Sequence, residues 1–92
     1  MRVTIAGVEY RFWFQHYPAR GTLAVCTDPT GDNKYQVSSI LAGGDKFCKA
    51  IGRRVSLTRL LNSLSYILGW SRSDRGMVWA EYFKQHRDLR HD

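Results

Sequence analysis

The sequence is poor in cysteine and proline, lacks a long apolar run and is short of acidic residues. Two cysteines and two prolines occur among 92 residues, and eight acidic residues stand against fourteen basic ones. No apolar run approaches the roughly 20 residues that a membrane helix needs, and the first ten residues lack the apolar core of a signal peptide. These absences predict a cytoplasmic protein that does not contact a membrane.

Motifs of the common enzyme classes are also missing. The chain contains no G-x-S-x-G, H-E-x-x-H, P-loop or dinucleotide-binding glycine pattern. Cys26 and Cys48 form no C-x-x-C pair, and His16, His86 and His91 are too scattered to complete a zinc site. We therefore expect no enzymatic activity, no metal and no cofactor, and we interpret both cysteines as small buried hydrophobic residues.

One loop has a faint resemblance to a cation site. Asp28 and Asp32 flank Gly31 in a segment that could supply oxygen ligands, but the spacing is not that of an EF-hand. The same segment is dense in residues that form turns. Turn formation is the favoured interpretation.

The first half of the chain has the pattern of β-strands. Residues 8–17 alternate apolar and polar side chains, and Ala6-Gly7 before them is a plausible hairpin turn. Two further β-prone runs, 21–27 and 34–41, are separated by the turn-forming loop. We predict an antiparallel sheet of three to four strands within residues 1–42.

The second half has the period of α-helices. A first helix is predicted over about 45–68, with Asp45 at its N-cap, and a second over about 71–86, opened by a Ser71-x-x-Asp74 capping box. The fold class is therefore α+β, a single domain of residues 1–92 with two C-terminal helices covering one face of the sheet. The expected core includes Phe12, Phe47, Ile51, Leu61, Trp79 and Phe83.

The first helix also carries a polar stripe that includes a glycine. Lys49, Gly52, Ser56, Arg59 and Ser63 are spaced to lie on one side, which we assign to solvent. Glycine inside a helix costs about 1 kcal/mol relative to alanine. Either the helix bends at Gly52 or another group approaches its backbone closely, and the bend is the favoured alternative.

The net charge of +6 comes mainly from ten arginines. Arginine binds phosphates and carboxylates with a fork of donors and stacks on flat rings, so the charge indicates a polyanion or an acidic protein surface as partner. Charge that merely keeps a small domain soluble is the alternative.

Seven residues are candidates for contact with that partner. Arg72 and Arg75 lie near a helix N-terminus, whose dipole disfavours positive charge, which suggests a role in binding. Trp13 projects from the sheet beside Arg11. Its ring is either an exposed anchor for a partner or covered by the loop around Tyr17 or by the N-terminal strand, and both alternatives stay open. For Arg54, an ion pair with Asp74 or Glu81 is as good an explanation as contact with a partner. The predicted partner-binding residues are Arg11, Trp13, Lys49, Arg53, Arg59, Arg72 and Arg75.

The helical half resembles a family of small phage-encoded accessory proteins. Residues 45–61 match the pattern D-x-F-x-K-x-x-G-R-x-x-[AS]-L-x-R-x-L, and residues 72–83 match R-x-x-R-x-x-x-W-x-x-Y-F. The resemblance spans about the final half of the chain, with a looser match in the strands.

That resemblance implies a function by stoichiometric binding. Some phage proteins of this size are anti-CRISPR or other anti-defence inhibitors that occlude an effector, so the leading expectation is an inhibitor of a host nuclease or CRISPR effector complex. Its partner would be a host defence protein or ribonucleoprotein in the host cytoplasm, bound by a monomer. The positive charge disfavours mimicry of DNA. A nucleic-acid-binding accessory or regulatory module is the alternative function.

Overall fold

The computed structural model describes residues 1–18, 20–40 and 48–86. Within these ranges, four strands are followed by two helices. The strands are β1 (Arg2–Ile5), β2 (Val8–Tyr17), β3 (Gly21–Thr27) and β4 (Lys34–Ile40), and the helices are α1 (Lys49–Leu68) and α2 (Arg72–Gln85). The predicted α+β fold is confirmed.

The sheet is an antiparallel meander in the order β1-β2-β3-β4. Ala6 and Gly7 both have positive φ, 52° and 81°, so the first hairpin closes through the two-residue turn that the sequence predicted. That turn pairs Ile5 with Val8 and Arg2 with Arg11. The register of β2, β3 and β4 follows without a break along each pair.

Both helices lie on one face of this sheet. Helix α1 packs mainly against β3 and β4, and α2 packs against β1. The leucines of α1 recur at the helical period and form the centre of the core with Phe12 and Cys26 of the sheet and with Val78 and Tyr82 of α2. The buried leucines are Leu57, Leu60, Leu61 and Leu64.

The helix boundaries agree with the sequence better in α2 than in α1. Ser71 Oγ accepts from the Asp74 amide at 3.1 Å and Asp74 Oδ2 accepts from the Ser71 amide at 2.9 Å, which confirms the capping box. Helix α1 begins at Lys49 instead of about residue 45, and Cys48 stands at its N-cap without a side-chain hydrogen bond. The prediction that α1 is capped by Asp45 is therefore wrong, and Asp45 itself lies outside the described residues.

The predicted polar stripe of α1 is wrong at its centre. Ser56 is fully buried, and Gly52 lies over β3, where an added Cβ would stand 2.1 Å from Thr22 Oγ1. Close approach, rather than the favoured bend, explains this glycine. Because small residues at 52 and 56 bring the helix backbone down onto Thr22 and Ser39, Ile51 is turned outward.

The predicted core is correct in part. Phe12 and Leu61 are buried, while Trp79 and Phe83 are partly buried against the core. Ile51 was wrongly assigned to the core, since it is 54% exposed. Phe47 lies outside the described residues.

Candidate binding surface

The face of the sheet turned away from the helices carries polar, charged and aromatic side chains on all four strands. Side chains alternate between the two faces along each strand, and residues paired across neighbouring strands lie on the same face. The face that includes Trp13 therefore includes every second residue of each strand. We call it the open face. It comprises Arg2, Thr4, Glu9, Arg11, Trp13, Gln15, Tyr17, Gly21, Leu23, Val25, Thr27, Lys34, Gln36, Ser38 and Ile40.

Three cations of the open face lie in one row across the strands. Arg2 is paired with Arg11, Arg11 with Thr27, and Thr27 with Lys34. Neighbouring strands are about 4.8 Å apart, so this cation row extends over about 14 Å. Arg2, Arg11 and Lys34 are all exposed. Like charges on one row repel each other unless an anion lies between them, which makes the row suited to an anionic partner.

The acidic residues near the cation row only partly neutralise it. Glu9, the one acid of the open face, approaches Arg2 at 4.0 Å, a weak contact between exposed side chains. The nearest loop carries Asp28, whose Oδ1 accepts from Thr30 Oγ1 at 2.8 Å and whose Oδ2 accepts from Asn33 Nδ2 at 2.6 Å. These hydrogen bonds from Asn33 and Thr30 lower the pKa of Asp28 and hold its carboxylate within the loop.

The same hydrogen bonds decide what the loop is. The Gly31 amide also donates to Asp28 Oδ1 at 2.9 Å, so the carboxylate closes a turn. The predicted turn is confirmed. Within the described part of the chain, no three His, Cys, Asp or Glu residues come together as a set that could hold a metal ion.

Trp13 lies in the row next to the cations. Across the strands it is paired with Val25, and Val25 with Gln36. Along β2 its neighbours on the same face are Arg11 and Gln15, two residues before and after it. The indole is 37% exposed, while Val25 beside it is buried. Of the two alternatives for Trp13, the exposed ring on the open face is the one that the structure has.

The seven predicted binding residues do not form one surface. Arg11 and Trp13 are neighbours on the open face, whereas Arg59 lies at the edge of the sheet, where its Nη1 donates to the Ser38 carbonyl of edge strand β4 at 3.3 Å. Lys49 and Arg72 are exposed on the helices, away from the open face.

Arg53 and Arg75 have roles in packing that the sequence did not indicate. Arg53 Nε donates to the Tyr82 hydroxyl at 3.3 Å, which ties α1 to α2. Arg75 Nη1 donates to Ser65 Oγ, a second tie between the two helices. Both arginines are partly buried. These hydrogen bonds join elements of the fold, so both arginines contribute to packing, and their part in binding a partner stays a prediction. Arg54, in contrast, is exposed.

Arg53 also borders a polar cluster on the helix side of the sheet. His16 Nδ1 lies 2.9 Å from Thr22 Oγ1, and a cavity of about 250 Å³ is lined by His16, Arg53, His86 and Phe14. Burial lowers the pKa of His16, and the positive charges of Arg53 and Lys49 and the nearby His86 lower it further. The neutral imidazole is the form that this cluster favours.

The two cysteines occupy different environments. Cys26 is completely buried, and burial raises the pKa of its thiol to about 12, so it behaves as the small hydrophobic residue that was predicted. Cys48 is exposed at the start of α1, so its prediction as a buried residue is wrong.

Sequence reasoning missed most residues of the open face and its rim, among them the cations Arg2, Arg20 and Lys34 and the ring of Tyr17. The signal for Arg2 was present, because a two-residue turn at Ala6-Gly7 places it opposite Arg11 by counting alone. Lys34 could not be placed this way, since its alignment with Thr27 depends on the path of the Asp28 loop.

Comparison with known proteins leaves the chain without an assigned family. No protein-family model matches it, and neither the curated proteins nor the solved structures gave a significant match. The resemblance to phage accessory proteins stays a prediction. In the described residues, neither helix combines the length and apolar character that crossing a bilayer requires.

Proposed function

We propose that the protein is a binding module that docks a single strand of nucleic acid on its open face. The observation that supports this most directly is the cation row of Arg2, Arg11 and Lys34 directly beside the exposed indole of Trp13. Phosphates bind such cations, and bases stack on an aromatic ring with little regard to sequence. A single strand supplies both groups at short range from each other.

Two further features favour a single strand over a duplex. The bases of a duplex are stacked on one another, so their flat faces are not accessible to Trp13. Gln15 neighbours the indole along β2, and Gln36 lies in the same row beyond Val25. Both are exposed, and their amides can donate to and accept from the edges of an unpaired base.

Inhibition of a host nuclease or CRISPR effector in the host cytoplasm stays a prediction from the resemblance. It is compatible with the same surface where the effector presents an exposed guide or target strand, because the open face would then compete for that strand. We favour direct nucleic-acid binding because cations and a stacking ring lie together, which an acidic protein surface alone would not require.

The test is binding of fluorescent oligothymidylate and oligouridylate of about 12 nucleotides, followed by anisotropy at several salt concentrations. Replacing Arg2, Arg11 and Lys34 together by glutamine should weaken binding strongly and make its salt dependence shallower by about 0.7 per lost phosphate contact. The matched control replaces Arg54, Arg72 and Lys84, three exposed helix cations, and loses the same charge.

The outcomes separate the alternatives. Equal loss in the two triple variants would show that net charge, not the open face, drives binding. Absence of oligonucleotide binding in the unaltered protein would overturn the proposal. In that case, capture of a host protein from lysate that survives nuclease treatment would point to the inhibitor function instead.

A further inference from the structure

The open face ends, at the side opposite the cation row, in a cleft. Tyr17, Gly21 and Ile40 are register partners across β2, β3 and β4. Because glycine has no side chain, a gap is left between the side chains of Tyr17 and Ile40. The flanking strands are about 10 Å apart. An open cavity of about 480 Å³ occupies this position, and its lining includes Tyr17, Arg20, Gly21, Leu23, Ser38 and Ile40.

The walls of this cleft are apolar and accessible. Tyr17 is 47% exposed and Ile40 is 80% exposed, so both side chains are accessible to a ligand. The Tyr17 hydroxyl donates to Gln15 Oε1 at 2.9 Å, a contact that restrains the ring against β2. The cleft is therefore partly preformed and has the width to admit a flat ring between Tyr17 and Ile40.

The polar groups at the cleft identify the flat ring that fits best. Arg20 lines it and is exposed, so its guanidinium can bind a phosphate at this end of the face, as the cation row can at the other. The exposed Ser38 side chain can donate to or accept from the edge of a base. Trp13 lies between the two charged ends, four residues before Tyr17 on β2.

We propose that the cleft binds one unstacked base of the strand on the open face, and that the strand runs along β2 from the cation row to Arg20. This rests on the proposed function and adds a direction and a second stacking site. Trp13 and Tyr17 are about 13 Å apart along β2, farther than two adjacent bases of a strand. The two bases held by the protein are therefore not neighbours, and at least one nucleotide lies between them.

The test is a set of oligothymidylates close to the minimal length, about six nucleotides, each with one abasic position. In the unaltered protein, two separated positions should be sensitive, each weakening binding about fivefold or more. Tyr17→Ala should remove the sensitivity of one position and leave the other, whereas Trp13→Ala should do the reverse.

Two further variants separate stacking from other effects. Tyr17→Phe keeps the ring and loses only the hydroxyl, so it should retain the sensitivity. Ser38→Phe fills the cleft from an exposed position on β4, so it should remove the sensitivity of the abasic position that depends on Tyr17. Melting curves identify any variant that fails to fold, and either Tyr17→Ala or Ser38→Phe alone is sufficient for the conclusion.

The cleft and the proposed function can fail separately. If oligonucleotides bind and Trp13→Ala weakens them, but Tyr17→Ala and Ser38→Phe behave as the unaltered protein, the cleft is overturned and the binding face stands. Two sensitive positions that are adjacent would overturn the direction along β2. If no oligonucleotide binds and Tyr17→Ala instead abolishes capture of a nuclease-resistant protein partner, both proposals are overturned.

Discussion

The two faces of the sheet are made by the same four strands, often by adjacent residues, and yet they have opposite character. Phe12 points toward α1 and α2 and is 2% exposed, whereas Trp13, the next residue, points away and is 37% exposed. On the helix side, ring packs against ring and leucine against leucine, while the open face has cations, amides and isolated aromatic rings. A strand can therefore contribute to folding with one set of side chains and to binding with the other.

The largest expected effect separates these two neighbours. Phe12→Ala should lower the free energy of unfolding by about 3 to 5 kcal/mol, because it leaves a cavity in the core. Trp13→Ala should lower it by less, about 1 to 2 kcal/mol, because the indole is partly exposed, and should also weaken oligonucleotide binding. Urea unfolding and anisotropy measure the two quantities. Similar stability losses in both variants would mean that the open face is covered rather than available.

A smaller effect tests how the helix face is packed. Gly52→Ala should lower the free energy of unfolding by about 1 to 2 kcal/mol, because overpacking against Thr22 outweighs the helical gain of about 1 kcal/mol. Gly76 in α2 is the matched control, since nothing lies within 4 Å of an added Cβ there. Gly76→Ala should stabilise the protein. Stabilisation by both substitutions would show that α1 does not approach β3 so closely.

The smallest effect concerns His16, which lies at the boundary of the helix face. Its pKa is lower in the folded protein than in the unfolded chain, so the unfolded chain binds the proton more readily. Stability from this group is present above about pH 6.5 and is lost as the pH falls through the folded pKa. Thermal unfolding between about pH 7.5 and about pH 5 should show this loss.

His16→Gln tests the source of that pH dependence, because glutamine keeps a polar side chain near Thr22 and does not titrate. The variant should have a flatter dependence of melting temperature on pH. An imidazole resonance that titrates at or above the usual histidine pKa would contradict the assignment.

The structure also changes how the basic residues should be tested. Replacing Arg53, Arg59, Arg72 and Arg75 together would combine two exposed side chains with two that join α1 to α2. Such a variant would lose stability as well as charge. The motif that carries the phage resemblance includes Gly52, Arg53 and Ser56. In this structure Gly52 lies against Thr22 of the sheet, Arg53 binds Tyr82 of α2 and Ser56 is buried. That part of the motif describes a fold more than a binding site.

Local patterns in the sequence were enough to predict the strands, the two helices, the capping box and the leucine core, because each follows from periodicity or from groups within a few residues of one another. Even the pairing of Arg2 with Arg11 follows from the two-residue length of the turn at Ala6-Gly7. Tertiary structure decided the rest. Which side of α1 approaches the sheet depended on the space that Gly52 and Ser56 leave over Thr22. Which arginines contribute to packing depended on hydrogen bonds between α1 and α2, such as those of Arg53 and Arg75. The cation row and the cleft exist only because register aligns side chains from strands far apart in the chain, and register is set by the whole sheet.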